Sequence, residues 1–154
     1  MATQWYQQIH AAKRFKLGTT KRQNGKEYVY ACGVANNVAG AWVHFDPAGT
    51  DAWVPVLAVA DGQGKMGISQ SANTSATNYS WYATYGRHAG LCLSSFDGTN
   101  GAGVWLTSTA GSVDDSDVAG DAVIGAIGLT DRDTTAGTST FDLNYPFTVD
   151  GAID

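Results

Sequence analysis

The residues of this chain that could do chemistry are few and scattered. Its histidines, His10, His44 and His88, occur singly, and Cys32 and Cys92 are separated by 60 positions without a Cys-x-x-Cys or His-x-His pair. Zinc sites need such ligands at close spacing. The serines lack the Gly-x-Ser-x-Gly elbow of hydrolases, and a single glutamate gives little support to a paired-carboxylate glycosidase site. We therefore expect two buried free thiols, no cofactor, no metal and no catalytic residues, and we interpret the protein as not being an enzyme.

One glycine-rich segment matches the dinucleotide-binding pattern Gly-x-Gly-x-x-Gly. It runs from Gly62 to Gly67 and follows an apolar, strand-like stretch. The fingerprint requires a helix to begin at the loop, but residues 68–75 have the composition of a loop. A phosphate-binding P-loop would need Ser or Thr at position 66, which is Met66. We predict an ordinary hairpin loop here.

The densest acidic cluster is Asp114–Asp121. Asp115, Asp117 and Gly120 occupy relative positions 1, 3 and 6 of a calcium loop, but Ala119 and Ala126 stand where two further ligands should be. A solvated turn that keeps a sheet edge soluble is the preferred interpretation. A structural calcium ion is the alternative.

The basic residues are concentrated at the N-terminus. Residues 1–26 carry six of the nine Lys and Arg and no acidic residue, so their net charge is plus 6, and residues 27–154 carry 3 minus 14, or minus 11. This asymmetry predicts an anionic partner for the first segment. Nucleic acid is disfavoured because the acidic remainder would repel phosphates, so an acidic protein surface fits better. A solvated tail without a partner is the alternative.

Apolar anchors are interleaved with those charges. Trp5, Tyr6, Ile9 and Phe15 would be unfavourable in water, and aromatic residues beside Arg are typical of interfaces. We predict that residues 1–26 form an arm, helical or extended, that docks on another polypeptide, and that deleting residues 1–16 abolishes association without unfolding the body. The predicted contact residues are Trp5, Tyr6, Ile9, Lys13, Arg14, Phe15, Lys16, Lys21 and Arg22.

A second aromatic group lies near the middle of the chain. Tyr79, Trp81, Tyr82 and Tyr85 could form part of the core, a subunit contact or a platform on which a sugar stacks. Core or subunit contact is preferred, because aromatic residues dominate buried sheet faces.

The elements that must position these residues are predicted to be strands. Of 154 residues, 44% are hydrophobic and 15% charged, with 19 glycines and few strong helix formers. No apolar run approaches the roughly 18 residues of a membrane helix. We predict a small all-β domain over residues 27–154, a barrel or sandwich of eight or nine strands with the N-terminal arm attached. The predicted strands are Glu27 to Ala35, Ala41 to Asp46, Ala52 to Ala60 (an edge strand, because of Pro55), Tyr79 to Tyr85, Ala89 to Ser94, Val104 to Ser108, Ala122 to Leu129 and Thr140 to Val149.

The order of several short patterns resembles one protein family. Phe15 to Thr19, Gly25 to Tyr30 and Ala39 to Val43 are similar to the opening of small decoration (cement) proteins of tailed-bacteriophage capsids. Tyr79 to Gly86, Gly103 to Gly111, Ala122 to Gly128 and Tyr145 to Phe147 resemble their later segments in the same order.

This resemblance implies a structural protein on the exterior of a virion capsid. Its partner would be the major capsid protein of the assembled shell, and it would act as a symmetric oligomer, a trimer first and a dimer second. The alternative is a carbohydrate-binding or host-attachment β-sandwich of a phage particle, using Trp81, Tyr82 and the acidic loop. Neither function involves nucleic acid or a membrane.

Overall fold

Strands dominate the chain, as the composition predicts. The computed structural model describes residues 3–45, 53–72 and 75–149. A single 3₁₀ turn covers Trp5–Gln7. The strands of these residues are β1 (Thr20–Gln23), β2 (Lys26–Cys32), β3 (Trp42–His44), β4 (Val56–Leu57), β5 (Gly64–Ser69), β6 (Tyr79–Leu91), β7 (Trp105–Leu106), β8 (Val113–Asp114), β9 (Ile124–Gly128) and β10 (Thr138–Thr148).

Eight of these strands form one curled antiparallel sheet. Its order is β1-β2-β6-β10-β5-β3-β4, with β9 paired to β10 and a further pairing between β5 and β6. The remaining two strands, β7 and β8, pair with each other. The all-β prediction is therefore confirmed, and the curl gives a half-barrel.

The curl gives the sheet two buried faces. Tyr28 and Tyr30 of β2 pack into the larger core, together with Trp42, Ile68 and Phe141. The alternate residues Val29 and Ala31 pack into a second cluster with Val34, Val43, Phe45 and Tyr82. Because successive side chains of a strand point to opposite faces, β2 must be covered on both sides. This is what its unbroken apolar sequence predicts.

Two long strands hold the sheet together. β6 pairs with β2 along one side, and along the other with β5 at Tyr82 and Ala83 and with β10 from Tyr85 onward. After Asn144, β10 leaves β6 and pairs with β5 at Phe147. The departure follows a bulge in β10, where Tyr145 has a φ of 50°.

Several predicted strands need correction. The strands expected from Tyr79 to Tyr85 and from Ala89 to Ser94 are one strand, β6, because Gly86, with a φ of 89°, bends the strand without ending it. β6 ends at Leu91, three residues before the predicted end. The strand expected from Ala52 to Ala60 is reduced to Val56–Leu57 within the described residues, and it is an edge strand as predicted. Asp46 and Ala52, the ends of two predicted strands, lie outside the described residues. The others are shorter or shifted by one or two residues at their ends.

The predicted hairpin loop at Gly62–Gly67 is wrong. Gly64–Ser69 is strand β5, and the buried side chains of Met66 and Ile68 explain why a strand forms. A Cβ atom at Gly67 would lie 2.7 Å from the Phe45 ring, so this glycine allows the ring to contact the strand.

Gly125 provides a test of the β9–β10 pairing. It has a φ of 80°, and a Cβ atom there would lie 2.5 Å from the Asn144 carbonyl oxygen. We expect Gly125→Ala to lower the free energy of unfolding by about 2–3 kcal/mol, because backbone strain is added to a clash. Gly25→Ala is the matched control, since its φ is 74° but nothing lies within 4 Å of the new methyl group. Urea unfolding measures both variants. An equal loss of unfolding free energy in Gly125→Ala and Gly25→Ala would contradict the predicted clash at Gly125.

Candidate functional site: the basic face and the aromatic cluster beneath it

The aromatic residues of the N-terminal segment pack on the chain's own sheet. The Trp5 ring makes edge contacts with Tyr28 and Trp81, at centroid distances of 5.2 and 5.0 Å. Its indole N–H donates to the side-chain oxygen of Gln23 in β1. Tyr6 stacks on Tyr28 with centroids 4.6 Å apart. The 3₁₀ turn is thus held by apolar and polar contacts at once.

The segment is fixed again further along. His10 and Tyr79 exchange two backbone hydrogen bonds, of 2.8 and 2.9 Å. The His10 Nδ1 lies 2.9 Å from the Tyr30 hydroxyl, and Phe15 meets the Tyr30 ring edge-on at 5.2 Å. These residues complete what we call the aromatic cluster: Trp5, Tyr6, His10, Phe15, Tyr28, Tyr30, Tyr79 and Trp81.

The division of the chain at residue 26 is therefore corrected. β1 and β2 form a hairpin whose register pairs Gln23 with Lys26, so the boundary falls inside one structural unit. The predicted anchors Trp5, Tyr6 and Phe15 are engaged with the sheet, because Tyr28, Tyr30 and Trp81 offer them an apolar surface in the same chain. Ile9 is the exception, being 42% exposed.

The charges of the segment point outward. Lys13, Arg14 and Lys16 are exposed, and the Lys21 ammonium lies 4.1 Å from the centroid of the Phe15 ring. Among the described residues the one ion pair joins Arg22 to Glu27, so none of these four cations has a carboxylate partner there. We call Lys13, Arg14, Lys16 and Lys21 the basic face. Its positive charge lowers the pKa of His10, after the larger effect of burial.

Arg22 has a structural role. Its guanidinium donates to the Glu27 carboxylate and, at 3.1 Å, to the Tyr145 hydroxyl, which itself donates to Glu27 at 3.1 Å. These bonds link the β1–β2 hairpin to β10. The hydrogen bond to Glu27 raises the pKa of Arg22, which keeps its charge. Arg22, predicted as a contact residue, is thus bound within the chain.

The central aromatic group is divided between core and surface. Trp81 and Tyr82 are 1% and 0% exposed, so neither can stack on a sugar, and the preferred core interpretation is confirmed for them. Tyr79 is half-buried in the aromatic cluster. Only Tyr85, 40% exposed, lies on the outer surface, where its ring contacts that of Tyr145 at 5.4 Å.

His44, His88 and Cys92 are buried, whereas Cys32, expected to be a buried thiol, is only partly buried. His44 lies 2.8 Å from the Thr148 hydroxyl and His88 lies 2.9 Å from the Tyr85 carbonyl, and burial lowers the pKa of each to about 4. Cys32 and Cys92 are free thiols, and burial raises the pKa of each, to about 11 for Cys92. Unreactive neutral thiols are therefore expected at pH 7.

The acidic loop is tied to its neighbours. Asp114 is buried and accepts a hydrogen bond from Ser95 at 3.1 Å, and the buried Asp121 carboxylate accepts one from the Asp61 backbone N–H at 2.7 Å. No group of three or more His, Cys, Asp or Glu side chains placed to hold a metal occurs in the part of the chain that the structure describes. Within the same residues, no helix has the length and apolar character needed to cross a bilayer.

A cavity that the sequence did not predict lies beside Val29 and Phe45, residues of the second buried cluster. We call it the mouth cavity. It has a volume of about 600 Å³ and a mainly apolar wall that includes Val29, Phe45, Trp53, Lys65, Phe147 and Val149. Its residues come from distant parts of the chain, so no local pattern marks it. The one signal was Trp53, an aromatic residue in a predicted edge strand beside Pro55.

Comparison of the chain with protein-family models, curated proteins and solved structures returns no match.

Proposed function

We propose that this protein is a non-enzymatic virion structural protein that binds the outer surface of an assembled bacteriophage capsid and stabilises it. The observation that carries the proposal is the basic face. Lys13 and Lys16 line one recess, Arg14 and Lys21 both act on His10, and none of the four has a carboxylate partner in the described residues. Such a surface attracts an anionic partner. The ordered likeness to decoration proteins names the partner as the major capsid protein.

The packed aromatic cluster supports a different mode of attachment from a flexible arm. Because Trp5 and Phe15 are held by the sheet, the lysines and arginine around them are presented from a fixed surface. A preorganised surface loses less conformational entropy on binding than a mobile arm. The protein would therefore attach as a rigid body, with its charges complementary to an acidic capsid exterior.

Self-association is part of the proposal. Repeated sites on a shell favour a symmetric oligomer, with a trimer first and a dimer second. Tyr85 of β6 and Tyr145 of β10 form an exposed aromatic pair, and Ile127 of β9, which lines one recess with Tyr85, is also exposed. Exposed aromatic residues of this kind are common in subunit contacts.

Charge reversal on the basic face tests capsid attachment. We expect Lys13→Glu with Lys16→Glu to weaken binding to purified capsids of the encoding virus at least about tenfold, since each reversal replaces attraction by repulsion. Binding of the unaltered protein should also weaken as salt is raised, because exposed charges are screened. Co-sedimentation of the protein with intact capsids measures both effects.

Arg87→Glu is the control for the single variant Lys16→Glu, since each changes the net charge by minus 2. Arg87 is exposed on β6, and its reversal changes the net charge without touching the basic face. Equal loss of binding in the control would show that net charge alone matters. Absence of binding by the unaltered protein, at low salt and with folding verified, would overturn the proposed function.

A further inference from the structure

The mouth cavity has the properties of a ligand site. Its volume of about 600 Å³ falls within the range of small-molecule pockets, roughly 300–1,000 Å³. The cavity adjoins the buried cluster that contains Val43 and Tyr82, because Val29, Phe45 and Trp53 belong to both. Small β-barrels hold ligands in the space inside the sheet.

Three polar side chains of the wall are bonded within the chain. The Glu27 carboxylate is bound by Arg22 and Tyr145, and the Thr148 hydroxyl donates to the Gly62 carbonyl at 2.7 Å. The Thr84 hydroxyl donates to the Glu27 carbonyl at 3.4 Å. An apolar ligand beside these three groups would leave their hydrogen bonds in place, which lowers the unfavourable contribution to its entry.

The rim of the cavity is cationic. The Lys65 ammonium lies 5.9 Å from the centroid of the Trp53 ring, and it has no carboxylate partner in the described residues. On its other side Trp53 borders a recess lined by Lys13 and Lys16. Three cations thus lie around one aromatic residue, and among the described residues that line the cavity the one acidic group, Glu27, is paired with Arg22.

Trp53 itself is held in a strained conformation. Its φ is 52°, a region that bulky residues rarely adopt, and its carbonyl accepts a hydrogen bond of 3.0 Å from the Cys32 N–H. The indole lies against Gly18, where a Cβ atom would be 2.7 Å from the ring nitrogen. Strained residues of this kind are concentrated at functional sites.

From these observations we infer that the mouth cavity binds an amphipathic monocarboxylate, with its alkyl chain between Val29, Phe45 and Phe147 and its carboxylate at Lys65. The anionic head follows from the cationic rim, and the apolar body follows from the wall. Ligand binding in the mouth cavity does not depend on capsid binding, so either proposal can fail while the other holds.

Three probes with a ten-carbon chain test the inference: decanoate and decyltrimethylammonium below their critical micelle concentrations, and decanol below its solubility limit. We expect calorimetry to show one decanoate per chain, with decanol and the ammonium compound bound at least about tenfold more weakly. Amide resonances of Val29, Lys65 and Phe147 should shift on addition of decanoate in a two-dimensional NMR spectrum.

Variants of the rim and wall complete the test. Lys65→Met should weaken decanoate binding about tenfold, whereas Lys26→Met, on a different surface, should not change it. Thr20→Trp, at an exposed position on the cavity wall, should abolish binding by filling the mouth. Melting curves establish that each variant is folded. The NMR measurement uses the unaltered protein, so it tests the inference even where a variant fails to fold.

Three results would overturn the inference. The first is no binding of decanoate. The second is equal binding of decanol and decanoate together with an unaffected Lys65→Met variant. The third is a set of shifted amides outside the cavity, for example around Tyr85 and Ile127, which would indicate adsorption on the exposed apolar surface.

Discussion

Deleting residues 1–16 should lower the free energy of unfolding by at least about 4 kcal/mol, because the deletion removes Trp5, Tyr6 and Phe15 and uncovers Tyr28 and Trp81. A loss of this size is a large share of the stability of an ordinary domain, which is about 5–15 kcal/mol. Trp5→Ala alone should account for about 2 kcal/mol, since it also breaks the bond to Gln23. Chemical unfolding followed by far-ultraviolet circular dichroism measures both variants.

Gln8→Ala is the control for this prediction. Gln8 is exposed in the same segment, so its truncation should change stability by less than about 0.5 kcal/mol. A truncated protein as stable as the full chain would support the detached arm that the sequence predicts. It would also remove the physical basis for a rigid basic face.

Acid should destabilise the protein strongly below pH 6.5. The folded state keeps His44 and His88 neutral, because burial lowers the pKa of each from 6.5 to about 4. In the unfolded state both take up protons near pH 6.5, so stability present above that pH is lost as the pH falls toward 4. By pH 5 the loss should be as much as about 2 kcal/mol for each histidine, or about 4 kcal/mol together. Urea unfolding at pH 7.5, 6 and 5 measures it.

His44→Gln separates this effect from general acid sensitivity. Glutamine offers polar atoms to the Thr148 hydroxyl but does not titrate, so the variant should lose about half of the pH dependence whatever its stability at pH 7.5. His10, whose pKa is also lowered, contributes in the same direction. If the stability of the variant depends on pH as that of the unaltered protein does, His44 is not a source of the acid sensitivity.

The sequence predicts those parts of the fold that depend on local pattern. Continuous apolar residues in β2 indicated burial on both faces, and Pro55 indicated an edge, because each signal acts through the backbone or through side-chain alternation. β5 escaped prediction since its glycines suggested a loop. Gly64 has a φ of 110°, and Gly67 is explained by its contact with the ring of Phe45, a residue distant in the sequence that directly follows β3.

The site could be predicted in part. Charge along the chain located the basic residues, and their exposure follows from the unfavourable burial of unpaired charge. The sequence could not show that Trp5 and Phe15 face inward. An apolar residue between charged residues is equally compatible with an interface and with the core of the same chain. The distinction depends on Tyr28, Tyr30 and Trp81, which the sheet brings together from β2 and β6. The mouth cavity is a product of the curl and has no sequence pattern of its own.

The position of β10 has a consequence for biosynthesis. This strand, Thr138–Thr148, pairs with β5, β6 and β9 and also anchors the first hairpin through Tyr145. Since translation proceeds from the N-terminus, β5, β6 and β9 are all synthesised before the strand that pairs with each of them. The sheet can therefore be completed only after Thr148 has left the ribosome, and until then these three strands each lack one pairing partner.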